Sequence, residues 1–225
     1  MFFLLILFGL LGWLAQARLR SKFEKYGKTR LLSDLSGEEA ARKMLADNGI
    51  TDVRITSVEG QLTDHYNPAD KTVNLSRDVF YGRNAAAVAV AAHEVGHAVQ
   101  HARAYSFLQF RSAMVPALSV TSRITPFVLM IGVFLFFGGG NPVVLMIGIG
   151  MLGLAAAFSL VTLPVEFDAS RRALAWMEGS RVVTPAEQSM AKDALWWAAS
   201  TYVIAAISAL TTLIYYISIL NSRRD

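Results

Sequence analysis

Two long stretches of this sequence carry no charged side chain, Ile124 to Val165 and Ala194 to Ser222. A water-soluble fold has nowhere to hide runs of that length, because a helix packed on one side still turns its other side to solvent. Each exceeds the roughly 20 apolar residues that a helix needs to cross the hydrocarbon core of a bilayer. A purely soluble protein is therefore excluded. So is a membrane protein with nothing outside the bilayer, since Arg18 to Arg111 is mixed in composition and long enough for one small water-facing domain. Overall, charged residues make up 17% of the chain, against roughly 25% in an ordinary soluble domain. The chain has no cysteine, so it is not a disulfide scaffold and any metal it binds is held by nitrogen and oxygen.

Four segments are candidate spans: Met1 to Ala17, Ala113 to Phe137 with Arg123 as its one interruption, Val143 to Leu163, and Ala194 to Leu220. Gly138-Gly139-Gly140-Asn141-Pro142 makes a tight turn between the second and third. In the last, the Trp196-Trp197 and Tyr215-Tyr216 pairs would lie roughly 28 Å apart on a helix, the spacing of two aromatic belts. The first segment has a rival reading, because Ala15-Gln16-Ala17 resembles a signal-peptidase site. Against cleavage, Met1-Phe2-Phe3 offers no basic region, and Arg18, Arg20, Lys22, Lys25, Lys28 and Arg30 follow the supposed cut. An uncleaved anchor is the better expectation. That basic cluster reads as a cytoplasmic lipid-headgroup anchor and not as a nucleic-acid patch, since no aromatic-interleaved basic face follows it.

Basic residues also set orientation. Arg18 to Arg111 holds fourteen Lys or Arg and Pro164 to Asp193 holds four, whereas the Gly-rich turn holds none. The positive-inside rule places both long segments in the cytoplasm and the N-terminus outside, with Arg223 and Arg224 of the tail as a mild dissent. The expected organisation is an anchor over 1–17, a cytoplasmic domain over 18–112, a transmembrane hairpin over 113–163, a second cytoplasmic segment over 164–193, and a last span and tail over 194–225.

The chemistry is concentrated in His93-Glu94-Val95-Gly96-His97, an H-E-x-x-H motif. Asn84 can cap a helix that continues through the helix-favouring Ala85 to Ala92. On that helix His93 and His97 are one turn apart on one face, so both imidazoles can reach one Zn²⁺. Glu94, turned about 100° away, can instead hold the metal's water and take its proton as that water attacks a carbonyl. A motif of five letters also occurs by chance as two solvated histidines. Here, however, it uses two of only four histidines, on an alanine-rich, capped helix.

A catalytic zinc wants a third protein ligand and one open position. His101 continues the spacing, but it lies roughly 12 Å from His93 along one helix axis, which opposes a shared ion and suggests a pocket-wall residue. His65, in Leu62-Thr63-Asp64-His65-Tyr66-Asn67-Pro68, either lines the site or is an ordinary hairpin histidine. Glu166, in Pro164-Val165-Glu166-Phe167-Asp168-Ala169-Ser170-Arg171-Arg172, lies where the third span meets water, two crossings beyond the histidine helix and so on the same side. Its bland alternative is an interfacial acid paired with Arg171 or Arg172. Asp168, about 200° round the helix from Glu166, is badly placed to share an ion with it.

H-E-V-G-H-A-V-Q-H, L-T-D-H-Y-N-P, L-S-R-D-V-F-Y-G-R and L-P-V-E-F-D-A-S-R-R together resemble the YugP-type neutral zinc metallopeptidases of bacteria, over essentially the whole chain. More distantly they resemble gluzincins such as the HtpX heat-shock protease and the CAAX prenyl protease. The resemblance implies one catalytic zinc held by His93, His97 and Glu166, with Glu94 as base. It departs from the wider group at Ser170, where Asp stands in the E-x-x-A-D pattern. A contact supporting a zinc-binding histidine is then weaker or supplied otherwise. His65, His101 and Ser170 remain pocket candidates.

Elsewhere, Ser36-Gly37-Glu38-Glu39 reads as a capping box opening a helix that stops at Asn48-Gly49. Val53 to Val58 alternates like a strand, and Leu62-Thr63 with Val73 to Leu75 flank a turn as a hairpin whose edge a peptide could join. Thr184-Pro185-Ala186-Glu187 is a second capping box. The expected fold is thus a mainly α membrane protein, with about four transmembrane helices and a small cytoplasmic α+β zincin-like metalloprotease domain. The expected function is a multi-pass membrane zinc endopeptidase acting on membrane-associated peptide or protein, without nucleic acid. The rival is a membrane protein that binds zinc structurally or transports ions. Glu94 argues against it, since a closed structural site needs no base, and Arg123 is the one ionisable residue placed mid-span.

Overall fold

The computed structural model describes residues 2–222. In chain order the elements are α1 (Phe2–Gly27), α2 (Gly37–Asp47), β1 (Arg54–Val58), β2 (His65–Asn67), β3 (Thr72–Ser76), α3 (Arg77–Phe80), α4 (Ala85–Ala102), α5 (Ser106–Gly139), α6 (Val143–Gly179) and α7 (Pro185–Asn221). They form two compact units. One comprises Leu14–Leu108 and Pro164–Ser200, the other Met1–Trp13, Gln109–Leu163 and Thr201–Asp225.

Local chemistry sets the helix starts. Ser36 accepts the Glu39 amide while Glu39 reaches back to the Ser36 amide, closing the capping box of α2. Asn84 accepts the Ala87 amide at 2.9 Å and opens α4. Glu187 takes the Thr184 amide at 2.6 Å at the start of α7, and its other oxygen takes the Leu32 amide at 2.8 Å. That single carboxylate ties the exit of α1 to the entry of α7. Near the same place Asp193 pairs with Lys22 at 2.7 Å and accepts from Tyr26.

The sheet has the order β1-β3-β2, with β3 parallel to β1 and antiparallel to β2. The hairpin partner begins later than Leu62-Thr63. Gly60 and Leu62 both adopt positive φ, which bends the chain out of strand geometry until His65. The core of this unit gathers Ala40, Met44 and Leu45 of α2, Val73 and Leu75 of β3, and Val88, Val95 and Val99 of α4. Ala173, Met177, Ala191 and Leu195 arrive from far later in the chain.

Among the described residues three helices are long and apolar enough to cross a membrane, α5, α6 and α7. The segment expected as an N-terminal span falls in α1, with Met1 outside the described residues, as are Arg223 and Arg224 of the tail. In the second unit Leu129, Phe136 and Leu145 form a small core with Tyr216, Ile219 and Leu220 against it. A side-chain carbon at Gly132 would come within 2.7 Å of the Leu145 backbone, so glycine permits that close approach. Large apolar residues such as Phe127, Phe134 and Ile214 stand exposed. The turn between α5 and α6 is tighter than 138–142: α5 continues through Gly139, Gly140 takes positive φ, and Asn141 caps the Val143 amide at 3.0 Å. Pro164 does not end the helix, which runs on to Gly179. One helix of 37 residues therefore carries both the charge-free run and Glu166.

Candidate metal centre

α4 and the later part of α6 meet in the first unit at a glycine. A side-chain carbon on Gly96 would sit 2.7 Å from the Ala169 carbonyl oxygen and 3.1 Å from its Cα, backbone atoms that cannot swing aside. The fourth letter of H-E-V-G-H is therefore what lets the two helices touch. On α6, Glu166 precedes Ala169 by three residues and Ser170 follows Glu166 by four, so both turn toward α4.

The result is a cluster of three donors. Glu166 Oε2 lies 3.3 Å from His93 Nε2 and 3.7 Å from His97 Nε2, and one ligand atom from each residue falls within 4.8 Å of the others. Glu166 is 2% exposed and His97 is buried. Arg171 and Arg172, on the same helix as Glu166, both pair with Asp168. His65 and His101 are not part of this group. His65 is exposed, with Nδ1 2.7 Å from the Thr63 carbonyl, and His101 Nδ1 lies 2.8 Å from the Tyr66 hydroxyl.

Each ring's other nitrogen is engaged. Ser170 Oγ lies 3.1 Å from His93 Nδ1, so the serine standing where the wider group has Asp reaches the histidine after all. Gln100 Oε1 lies 3.0 Å from His97 Nδ1. Gln100 was not singled out from the sequence, although its place three residues after His97 puts it on the same helix face. Its amide nitrogen donates to the Val165 carbonyl at 2.8 Å and to Asp168 at 2.9 Å, so Asp168 supports the site without entering it.

The donor set fits zinc. Two imidazole nitrogens and one carboxylate oxygen are its common ligands, and around a tetrahedral ion with bonds near 2.0–2.1 Å donor atoms stand about 3.3 Å apart. Three ligands leave the fourth position free, as a catalytic site requires. Burial opposes charge on His97, but the Glu166 carboxylate outweighs it and holds the ring above its ordinary pKa, so a metal there competes with a proton. Nearby, burial pushes Tyr66 up to about 12, which keeps its hydroxyl protonated beside His101. Glu94 is buried in the same stretch of α4.

Residues 1–221 match the family described as "Putative neutral zinc metallopeptidase". The chain belongs to that family. It is also 40% identical over 219 residues to "Putative membrane protease YugP" of Bacillus subtilis (strain 168), covering 96% of this chain and 94% of that protein. No solved structure matches.

Proposed function

We propose that this family member is a multi-pass membrane zinc endopeptidase that hydrolyses peptide bonds at the cytoplasmic membrane face, acting on membrane-associated or unfolded segments. The observation that carries the reading is the convergence of His93, His97 and Glu166, one ligand atom of each lying within 4.8 Å of the others. Zinc bound there supplies Lewis acidity, acidifying water and polarising a carbonyl. His93 and His97 present Nε2, and Glu166 presents a carboxylate oxygen whose charge offsets part of the ion's. Glu94, on the adjacent face of α4, takes the proton of the attacking water and passes it to the leaving amine. The exposed apolar surfaces of α5 to α7 suit lipid, α1 supplies a further span, and the basic residues within the first unit favour the cytoplasmic side.

The test is zinc content together with peptide cleavage for purified wild type and Glu94→Gln. The variant should keep its zinc and lose at least about 100-fold in rate. Cleavage within a few-fold of wild type would remove Glu94 from the reaction. Topology is tested separately. A reporter fused after Arg103 should read as cytoplasmic and one in the Gly138 to Asn141 turn as external, and the reverse pattern would place the site on the other face.

A further inference from the structure

The side chain of Gln100 is fully buried, and its surroundings leave it one orientation. A glutamine amide can be turned end for end without changing its shape, so its hydrogen-bond partners must decide which end points where. Here one end faces the Val165 carbonyl and the Asp168 carboxylate, at 2.8 and 2.9 Å. Both accept: a backbone carbonyl has no hydrogen to give, and the Asp168 carboxylate is ion-paired with Arg172, 2.5 Å away, and with Arg171. The NH₂ group must therefore lie at that end, where its two hydrogens serve the two acceptors. The carbonyl oxygen is left facing His97 Nδ1 at 3.0 Å, and an oxygen there can only accept. His97 must supply the hydrogen.

We propose that Gln100 is a positioning residue for the metal centre, holding His97 as the Nδ1–H tautomer so that Nε2 offers its lone pair beside Glu166, with Asp168 holding Gln100 in turn. The chain of bonds runs from Arg172 through Asp168 and Gln100 to His97, and joins α6 to α4 by a route separate from the ligands. His93 has no equivalent constraint in its partner, because the Ser170 hydroxyl can donate or accept and so does not select a tautomer. The two histidines are thus unequally prepared, His97 by a rigid amide and His93 by a rotatable hydroxyl.

This inference rests on the metal-centre reading above. Its test uses the full chain in detergent or lipid discs, loaded with zinc and labelled with ¹⁵N-histidine, and compares wild type, Gln100→Met, Asp168→Asn and Ser170→Ala. In wild type the spectrum should show His97 protonated at Nδ1. Gln100→Met should weaken zinc binding 10- to 100-fold, measured by chelator competition, the range for loss of a group that supports a ligand. Asp168→Asn should cost less, because the asparagine oxygen still accepts from Gln100, and Ser170→Ala should leave the His97 proton where it was. Protonation of His97 at Nε2 in wild type overturns the proposal, and so does Gln100→Met with wild-type zinc affinity. If Gln100→Met does not fold, the wild-type spectrum and Asp168→Asn still decide. A wild type that takes up no zinc overturns the metal-centre reading and this proposal with it, and is seen before any variant is made.

Discussion

α4 and α6 are both apolar helices that carry residues of the candidate centre, yet they are apolar for different reasons. Of the eighteen residues of α4, only His93, His101 and Ala102 are not buried. The most apolar stretch of α6 has 17% of its residues buried. Hydropathy does not separate these cases, but length and context do. At eighteen residues α4 is close to a span, and what makes it core is that α2, β3 and the later part of α6 cover it. α6 changes character along its own length: apolar and half-open up to Leu163, then, from Val165 on, buried along the face that carries Val165, Glu166, Ala169, Ala173 and Met177. The lesson is that α4 is an enclosed platform, while α6 brings a ligand to it from the part of a long helix that lies in the same unit.

Removing the ligand that α6 delivers should have the larger effect on that division of labour. Glu166→Ala is expected to lose zinc by more than the 10- to 100-fold typical of a supporting group, while His101→Ala, whose ring faces Tyr66, keeps it at stoichiometric supply. Zinc retained by Glu166→Ala and lost by His101→Ala would put the whole site on α4 and make α6 irrelevant to metal. A smaller effect should follow from forcing α4 and α6 apart. Gly96→Val places a branched side chain against the Ala169 backbone and should cost about 1–3 kcal/mol by overpacking, seen as a lowered melting temperature, with zinc affinity falling alongside. Gly153→Val, where nothing lies within 4 Å, is the control and should melt like wild type. Equal melting of the two variants would mean that the close approach at Gly96 is not needed.

What could be read from the sequence was local. The caps at Ser36, Asn84 and Thr184 were legible because each is a hydrogen bond between residues three apart, and His93 with His97 because one helical turn brings them together. The parallel pairing of β1 with β3 was not, since no spacing rule connects Arg54 to Thr72. That α6 runs through Pro164 was not legible either, because proline removes a backbone donor and so gives no sign that a helix continues past it. The convergence of Glu166 on the histidines was suggested by counting membrane crossings, but the reason it is sterically allowed, a missing side chain at Gly96, lay in a position that the motif treats as free. Gln100 is silent for a related reason: a glutamine three residues past a histidine announces nothing until Val165 and Asp168 arrive to orient it.

The discontinuity of the first unit has a consequence for the order of events on the ribosome. Its core mixes Met44, Val88 and Val95 with Ala173, Met177, Ala191 and Leu195, and Glu187 fastens the chain at Leu32 only once α7 has begun. At about 5–20 residues per second, the segment ending at Leu108 waits on the order of ten seconds before the residues that cover it are made. Through that interval the part of α4 that α6 and α7 cover is bare and the centre lacks its carboxylate. A nascent chain therefore emerges with its histidines in place but its third donor still unsynthesised, and the centre is completed only late in translation.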